Sequence, residues 1–401
     1  MDAPGTDPRR LARMAHGVLE INWQPSFGYA APAPGRYPWH WLWDSCFHAV
    51  CWAALGDERA VPELRSVFAH QGADGFVPHM GYQRDPRAAV GVWGRAGCST
   101  ITQPPMYGHA VRVLAEAGLP VGDLAERAAA GLRYFAARRR GARGLVRIVH
   151  PWESGADDSV RWDGWAGGPF DRTRWMQVKL GLVRSLEVSA AGSAVANASF
   201  TVHPASFNAL VAFNARELVT VTGDRDLAGF ADELAGELGE LWDPQAGTWP
   251  DVDDHGRAAS AAPTLDGLLP LLVTDPGAGG PIDAVVRRLA DERWFRAPFG
   301  LAAVARDDPA FDACGYGRGA SWPHLNYLIW LALERHGRRA AAREVAGAWT
   351  AGAVASGFSE FVDPLSGRGL GACPQSWASL VVVPYCQPSR TVTAALARPA
   401  P

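Results

Sequence analysis

The sequence predicts an all-α fold, a closed (α/α)6 toroid built from six helical hairpins. Three observations lead there. Apolar residues recur at helical spacing along most of the 401-residue chain, while strand-like alternation is nearly absent. Helices repeatedly end on a glycine and reopen within a few residues, at Gly56-Asp-Glu-Arg, Gly118-Leu-Pro-Val-Gly-Asp, Gly223-Asp-Arg-Asp and Gly337-Arg-Arg, with a looser join at Pro276-Gly-Ala-Gly-Gly-Pro281. The interval from Gly118 to Gly223 is roughly twice the others, so one unit is expected to lie hidden where loop 141–173 interrupts the pattern. No composition break marks a second domain, and residues 1–401 read as a single domain.

Taken in order, the helical stretches are Arg9–Glu20, Ser45–Leu55, Glu58–His70, Pro105–Ala117, Val121–Arg138 and Gln177–Val188. They continue with Ala205–Thr222, Asp226–Leu241, Leu265–Val273, Ile282–Asp291, Pro323–Arg335 and Arg338–Ala355, and a short one is expected at Trp377–Val383. Polar, aromatic-rich loops fall at the ends away from the glycine joins: 36–44, 72–83, 98–105, 141–173, 314–322 and 357–377. With all the hairpin turns on one face, these loops gather on the other and build one funnel-shaped pocket.

Composition narrows the function. Hydrophobic residues make up 48% and charged ones 20%, and the formal charge of −3 offers no basic footprint for nucleic acid. No apolar run approaches the length of a transmembrane helix, and Met1–Arg10 lacks the apolar core of an export signal, so neither a membrane nor secretion is expected. Cysteines 46, 51, 98, 314, 373 and 386 form no metal-finger spacing; they are expected to be reduced thiols of a cytoplasmic protein, with no metal site. Asp251-Val-Asp-Asp-His255 fits no standard calcium spacing and reads as a solvated loop. Lys179 is the only lysine, which argues against Schiff-base chemistry. Nothing in the sequence fixes an oligomeric state. Tryptophan is the outlier, with 17 residues, many beside Asp, His and Gly as in Tyr37-Pro-Trp-His-Trp-Leu-Trp-Asp44. Most are expected to fill the core, but loop tryptophans beside polar groups present flat faces suited to sugar rings.

The chemistry concentrates in His150-Pro-Trp-Glu-Ser-Gly-Ala-Asp-Asp-Ser-Val-Arg-Trp-Asp163, where Glu153, Asp157, Asp158 and Asp163 stand among tryptophans. Mutual repulsion and exclusion of water hold at least one proton there near neutral pH. Gly357-Phe-Ser-Glu-Phe-Val-Asp-Pro364 supplies a second, isolated acid between aromatics. One protonated and one ionised carboxyl are what hydrolysis of a glycosidic bond requires. Read alone, Asp157 fits a helix cap as well as an acid, and Asp44 opens a helix where capping is its ordinary role. Gln103, before two prolines, offers a donor–acceptor amide suited to a hydroxyl pair.

Five motifs in order carry a family resemblance: Tyr37–Phe47, Asp74-Gly-Phe-Val-Pro-His79, Thr102-Gln-Pro-Pro105, His150-Pro-Trp-Glu-Ser-Gly-x-Asp157 and Gly357-Phe-Ser-Glu360-Phe-Val-Asp-Pro-x-Ser-Gly-x-Gly369. From about Leu19 to Val383 the chain resembles bacterial (α/α)6 glycoside hydrolases of the mannosylglycerate/glucosylglycerate hydrolase group, within the wider clan of family 63 glucosidases and trehalases. The resemblance implies an inverting hydrolase of a small carbohydrate that needs no cofactor, with Asp157 as general acid and Glu360 as general base. It also implies sugar contacts by Asp44 and His79, with Trp41 and Trp43 walling the subsite. Tyr316-Gly-Arg318-Gly-Ala-Ser-Trp322-Pro resembles the family's Arg-Gly-x-x-Trp-Pro segment, so Arg318 is expected to hold substrate hydroxyls or a carboxylate. Tyr37, Trp152, Glu153, Trp322, Gln375 and Trp377 complete the expected substrate-binding set. The chain departs from the family in carrying Asp158 for Asn and Gly317 for Trp, which makes Asp158 a rival donor and widens one wall. Two other functions share the toroid: a sugar epimerase working through paired histidines such as His79 and His324, and a non-catalytic carbohydrate-binding relative.

Overall fold

The computed structural model describes residues 7–260 and 262–386; part of the N-terminal stretch read for an export signal, and both ends of the 1–401 span, lie outside them. The α-helices are α1 (Pro8–Asn22), α2 (Leu42–Ala54), α3 (Ala60–Val67), α4 (Val90–Trp93), α5 (Tyr107–Glu116) and α6 (Gly122–Arg138). They continue as α7 (Arg172–Arg184), α8 (Ala205–Thr222), α9 (Arg225–Glu240), α10 (Gly280–Ala290), α11 (Pro323–Arg335) and α12 (Arg339–Ala355). Two 3₁₀ segments, Asp266–Leu272 and Ser376–Tyr385, stand where helices are expected near 265–273 and 377–383. Each contains a proline, Pro270 and Pro384, which supplies no N–H for a helical ladder.

Two concentric rings result. The inner ring runs α2, α5, α8, Asp266–Leu272, α11 and Ser376–Tyr385, each packed on the next and the last packed back on α2. Outside them lie α3, α6, α9, α10, α12 and α1, in the same order. Sequence pattern explains the sorting. Every residue of α2 from Leu42 to Ala53 is buried, as a helix with apolar residues on every side must be, whereas α1 buries the stripe Leu11, Ala15, Val18, Leu19 and Asn22. At the joins Gly56, Gly118, Gly223 and Gly337 take φ between 68° and 74°, and a Cβ on any of them would meet open space. The glycines are therefore required by the left-handed turn and not by crowding.

The expected hidden hairpin is absent. The interval between α6 and α8 holds the long loop and α7, which packs against α4. The sixth pair is instead formed by the first and last helical elements, α1 and Ser376–Tyr385, so the two ends of the described chain close the ring. The helix expected over 177–188 lies at Arg172–Arg184, and Leu186–Val188 pairs as a strand with Ala194–Asn197. Short antiparallel pairs also join His40–Trp41 to Met80–Gly81 and Phe361–Val362 to Gly369–Leu370. These strands are two to four residues long, too short to leave an alternation in the sequence.

Candidate active site

At the end of the barrel where the inner elements begin, a cavity of about 290 Å³ opens. Its wall brings together Tyr37, Trp41, Trp43, Asp44, His79, Gln103, Trp152, Asp157, Trp322, Glu360, Gln375 and Trp377. Pro32, Met80, Tyr82, Val92, Trp93, Gly155, Leu180 and Tyr316 complete it. The wall is mostly aromatic, with three carboxyls converging on it, the pattern of a site that binds a small polar molecule through its apolar faces.

The loop bearing Asp157 is fixed on both sides. His150 caps the 3₁₀ turn Pro151–Ser154, its Nδ1 accepting from the Trp152 amide at 3.1 Å. Gly155 then takes φ 71°, and a Cβ there would overlap the Trp43 ring, so glycine is required twice over. The indole of Trp162 donates to the Ala156 carbonyl at 2.7 Å and that of Trp175 to the Asp157 carbonyl at 2.8 Å. The Asp157 carboxyl itself takes no protein hydrogen bond among the described residues. Burial drives it up to about 7; Lys179 and Arg172 oppose the rise, and the charges of Asp158 and Glu360 add to it. Asp158, by contrast, is turned away from the cavity, its carboxylate held by Lys179 Nζ at 2.5 Å and Arg172 Nε at 3.0 Å.

Glu360 is held differently. It follows Phe358, a non-glycine residue at φ 63°, in the turn leading to the Phe361–Val362 strand. The Tyr37 hydroxyl donates to both carboxylate oxygens, at 3.0 and 3.2 Å, and the Ala372 amide donates to Oε2 at 2.8 Å. The backbone is pinned by Glu360 N to Ala372 O at 2.8 Å and by the Trp377 indole to Glu360 O at 2.9 Å. Burial raises its proton affinity, while the Ala372 and Tyr37 hydrogen bonds and the charges of Arg36 and Arg172 hold the rise in check.

Asp44 lies in the first turn of α2, buried at the cavity floor, with Oδ1 accepting from Gln375 Nε2 at 3.3 Å. Burial pushes it to about 7 against the opposing His48 charge. Gln375 is oriented in turn by the Trp377 amide, which donates to its Oε1 at 2.7 Å. Gln103 accepts from the Trp43 amide at 3.4 Å, which leaves its amide nitrogen for the cavity. His79 Nδ1 lies 2.6 Å from Ser99 Oγ, and burial lowers the ring to about 3, so it is neutral. His324 is also driven to about 3 by burial, but it lines a separate cavity of about 40 Å³ behind the Trp43–Asp157–Trp322 wall and does not meet His79.

Two expected ligands stand elsewhere. Glu153 is fully buried, its oxygens taking Arg139 Nη2 at 2.7 Å, Arg139 Nη1 at 2.9 Å, and the Thr102 and Val149 amides. Saturated in this way, it ties the acid loop to the Gln103 loop and has no lone pair free for sugar. Arg318 forms a bidentate pair with Asp163, at 2.6 and 2.9 Å, and lies over the Phe170 ring. It braces the two loops that carry Asp157 and Tyr316 without reaching the cavity. Asp251 likewise is no solvated loop acid: it is buried and pairs with Arg161 at 2.9 Å. Sequence reading missed the walls from α4 and α7 (Val92, Trp93, Leu180), because these helices lie outside the hairpin grammar. Tyr316 was within a recognised segment; its ring packs edge-on to Trp322 at 4.8 Å.

A family model described as the mannosylglycerate hydrolase MGH1-like glycoside hydrolase domain matches residues 37–378. The chain is 32% identical over 416 residues to the mannosylglycerate hydrolase of Thermus thermophilus, covering 91% of this chain and 98% of that one. It is 27% identical over 461 residues to the glucosylglycerate hydrolase of Mycolicibacterium hassiacum, covering 95% and 99%. A crystal structure of the family 63 mannosylglycerate hydrolase from Thermus thermophilus in complex with Tris and D-glycerate superposes with a TM-score of 0.80 at 28% identity, covering 93% of this chain and 99% of that one.

Proposed function

This chain belongs to the mannosylglycerate hydrolase MGH1-like glycoside hydrolase family, and on that premise we propose that it cleaves an α-glycosidic bond with inversion, Asp157 acting as acid and Glu360 as base. One observation carries the reading: the two carboxyls share one cavity but have opposite surroundings. Burial raises Asp157 to about 7, and among the described residues no protein group hydrogen-bonds to its oxygens, so its proton is available to the leaving oxygen. Glu360 receives hydrogen bonds from Tyr37 and Ala372 that favour the anion, as a base for water must. In the step, Asp157 gives its proton to the glycosidic oxygen as the C–O bond breaks. Water attacks the opposite face of the anomeric carbon and passes a proton to Glu360. An inverting pair needs a gap of roughly 6.5–9.5 Å for that water. Asp44, oriented by Gln375, serves sugar hydroxyls, and the tryptophans keep bulk water out.

The substrate class we infer is a glycosylglycerate or a short α-glucoside. The cavity wall carries no Lys or Arg among the described residues. On the Asp157 side, where the leaving group departs, Arg172 bonds Asp158 through Nε and lies over Tyr316 at 4.9 Å, with its side chain 57% exposed. A glycerate carboxylate would meet that guanidinium at the mouth while the sugar occupies the aromatic interior. The separation of His79 from His324 speaks against a paired-histidine epimerase. Incubation with mannosylglycerate, glucosylglycerate and neutral α-glucosides, read as released sugar, tests the assignment. Cleavage of a glycosylglycerate that falls at least tenfold in kcat/KM in Arg172→Met supports it; folded protein that cleaves none of the panel refutes it.

A further inference from the structure

Of the 38 basic residues in this chain, 37 are arginine and only Lys179 is lysine. That single exception is buried on α7, with an exposure of 1%, directly behind the acid loop. Its ammonium stands 2.5 Å from Asp158 and is flanked by the Trp152 and Trp175 rings at 5.7 and 5.8 Å. Trp152 lines the cavity, and Trp175 holds the Asp157 carbonyl. The Lys179 carbonyl accepts from His150 Nε2 at 2.9 Å, and His150 caps the turn leading to Asp157. A compact point charge fits the space between two indoles beside a carboxylate, whereas a planar guanidinium demands a fork of acceptors.

We propose that Lys179 is a positioning residue for the acid: its ammonium, through Asp158 and Trp175, fixes the backbone that presents Asp157, and its charge balances the buried carboxylate next door. The inference rests on Asp157 being the proton donor. The charged groups facing Asp157 are Lys179 and Arg172 from α7, Asp158 from its own loop and Glu360 from the opposite wall, with the Tyr37 and Tyr316 hydroxyls nearby. Removal of the ammonium leaves Asp158 beside Asp157 with Arg172 as its remaining cation, and like charges at this distance favour the protonated acid.

The test reads pH profiles of kcat/KM. In Lys179→Met the alkaline limb is expected to move up by roughly one pH unit, and in Asp158→Asn/Lys179→Met to return toward the wild-type position. Lys179→Arg, which keeps the charge but not the shape, should lower kcat without moving the limb. A folded Lys179→Met enzyme with the wild-type limb overturns the proposal. A second measurement needs no lysine variant: selective ¹⁵N-lysine labelling of the full chain yields one side-chain signal. That signal should shift with the titration of Asp157 and lose the inflection in Asp157→Asn. An inactive Asp157→Asn protein whose lysine signal titrates as in the wild type overturns the role of Lys179 alone. A fully active Asp157→Asn protein overturns the acid assignment instead.

Discussion

Two cavities of nearly equal volume lie at opposite ends of the inner ring, about 290 Å³ where the inner elements begin and about 310 Å³ where they end. Both bury carboxyls, and the contrast lies in what surrounds them. At the far end Glu217 takes His109 Nδ1 at 2.9 Å, Arg112 Nη1 at 2.6 Å and Arg335 Nη1 at 3.2 Å, and these partners outweigh burial and hold it below the usual carboxylate range. At the loop end neither lysine nor arginine lines the wall among the described residues, the lining His79 is held neutral by burial, and Asp44 and Asp157 are both pushed to about 7. Size does not choose the site; the balance of partners does. A saturated carboxylate is a strut, and an unsaturated one is a reagent.

The comparison breaks most sharply at the proposed acid and base. Asp157→Asn and Glu360→Gln should each lower kcat by about 10²–10⁴-fold with little loss of folding; a fall of less than tenfold in either would sink the assignment. Gly155→Ala comes next. Its Cβ would overlap Trp43 at a positive φ, so about 2–3 kcal/mol of stability should be lost along with activity, as read by denaturant unfolding. An unchanged midpoint would show that the loop gives way.

Glu217→Gln tests the other end, with an expected cost of about 1–2 kcal/mol and kcat within twofold of wild type. Its folded pKa is depressed from 4.5, so the stabilisation is complete above that value and is lost as pH falls through the lower folded one. The gap between variant and wild type should therefore close in acid; a constant gap would contradict the ion-pair account. Asp44→Asn should show the reverse sign. The folded protein holds a proton between 3.8 and about 7 that the unfolded chain releases, so wild-type stability falls as pH rises through that window. The variant should gain about 1 kcal/mol at pH 8 and nothing below pH 4, because water reaching the cavity softens the full penalty. Equal effects at both pH values would show that Asp44 is ionised throughout.

Much of this contrast was legible in the chain. Helical periodicity and the glycine joins set out the rings, because each join needs a left-handed residue whatever its neighbours. The motifs and the aromatic loop segments brought twelve cavity residues together from six loops. The identity of the closing pair was not legible, since the packing of α1 on Ser376–Tyr385 is a contact between distant segments that no local pattern encodes. Glu153 and Arg318 were read as ligands because residue type and motif do not reveal whether a side chain is already saturated; Arg139 and Asp163 answer that only in space. The choice between Asp157 and Asp158 had the same character. Adjacent aspartates look alike in sequence, and Lys179 and Arg172 separate them only once α7 is folded over the loop.

The most direct measurement follows the first sugar released from an α-glycoside by proton NMR before mutarotation. Attack by water from the Glu360 side, with Asp157 protonating the departing oxygen, yields the β-anomer first. Initial appearance of the α-anomer would mean that the two carboxyls do not work across one water molecule, and the account would be wrong.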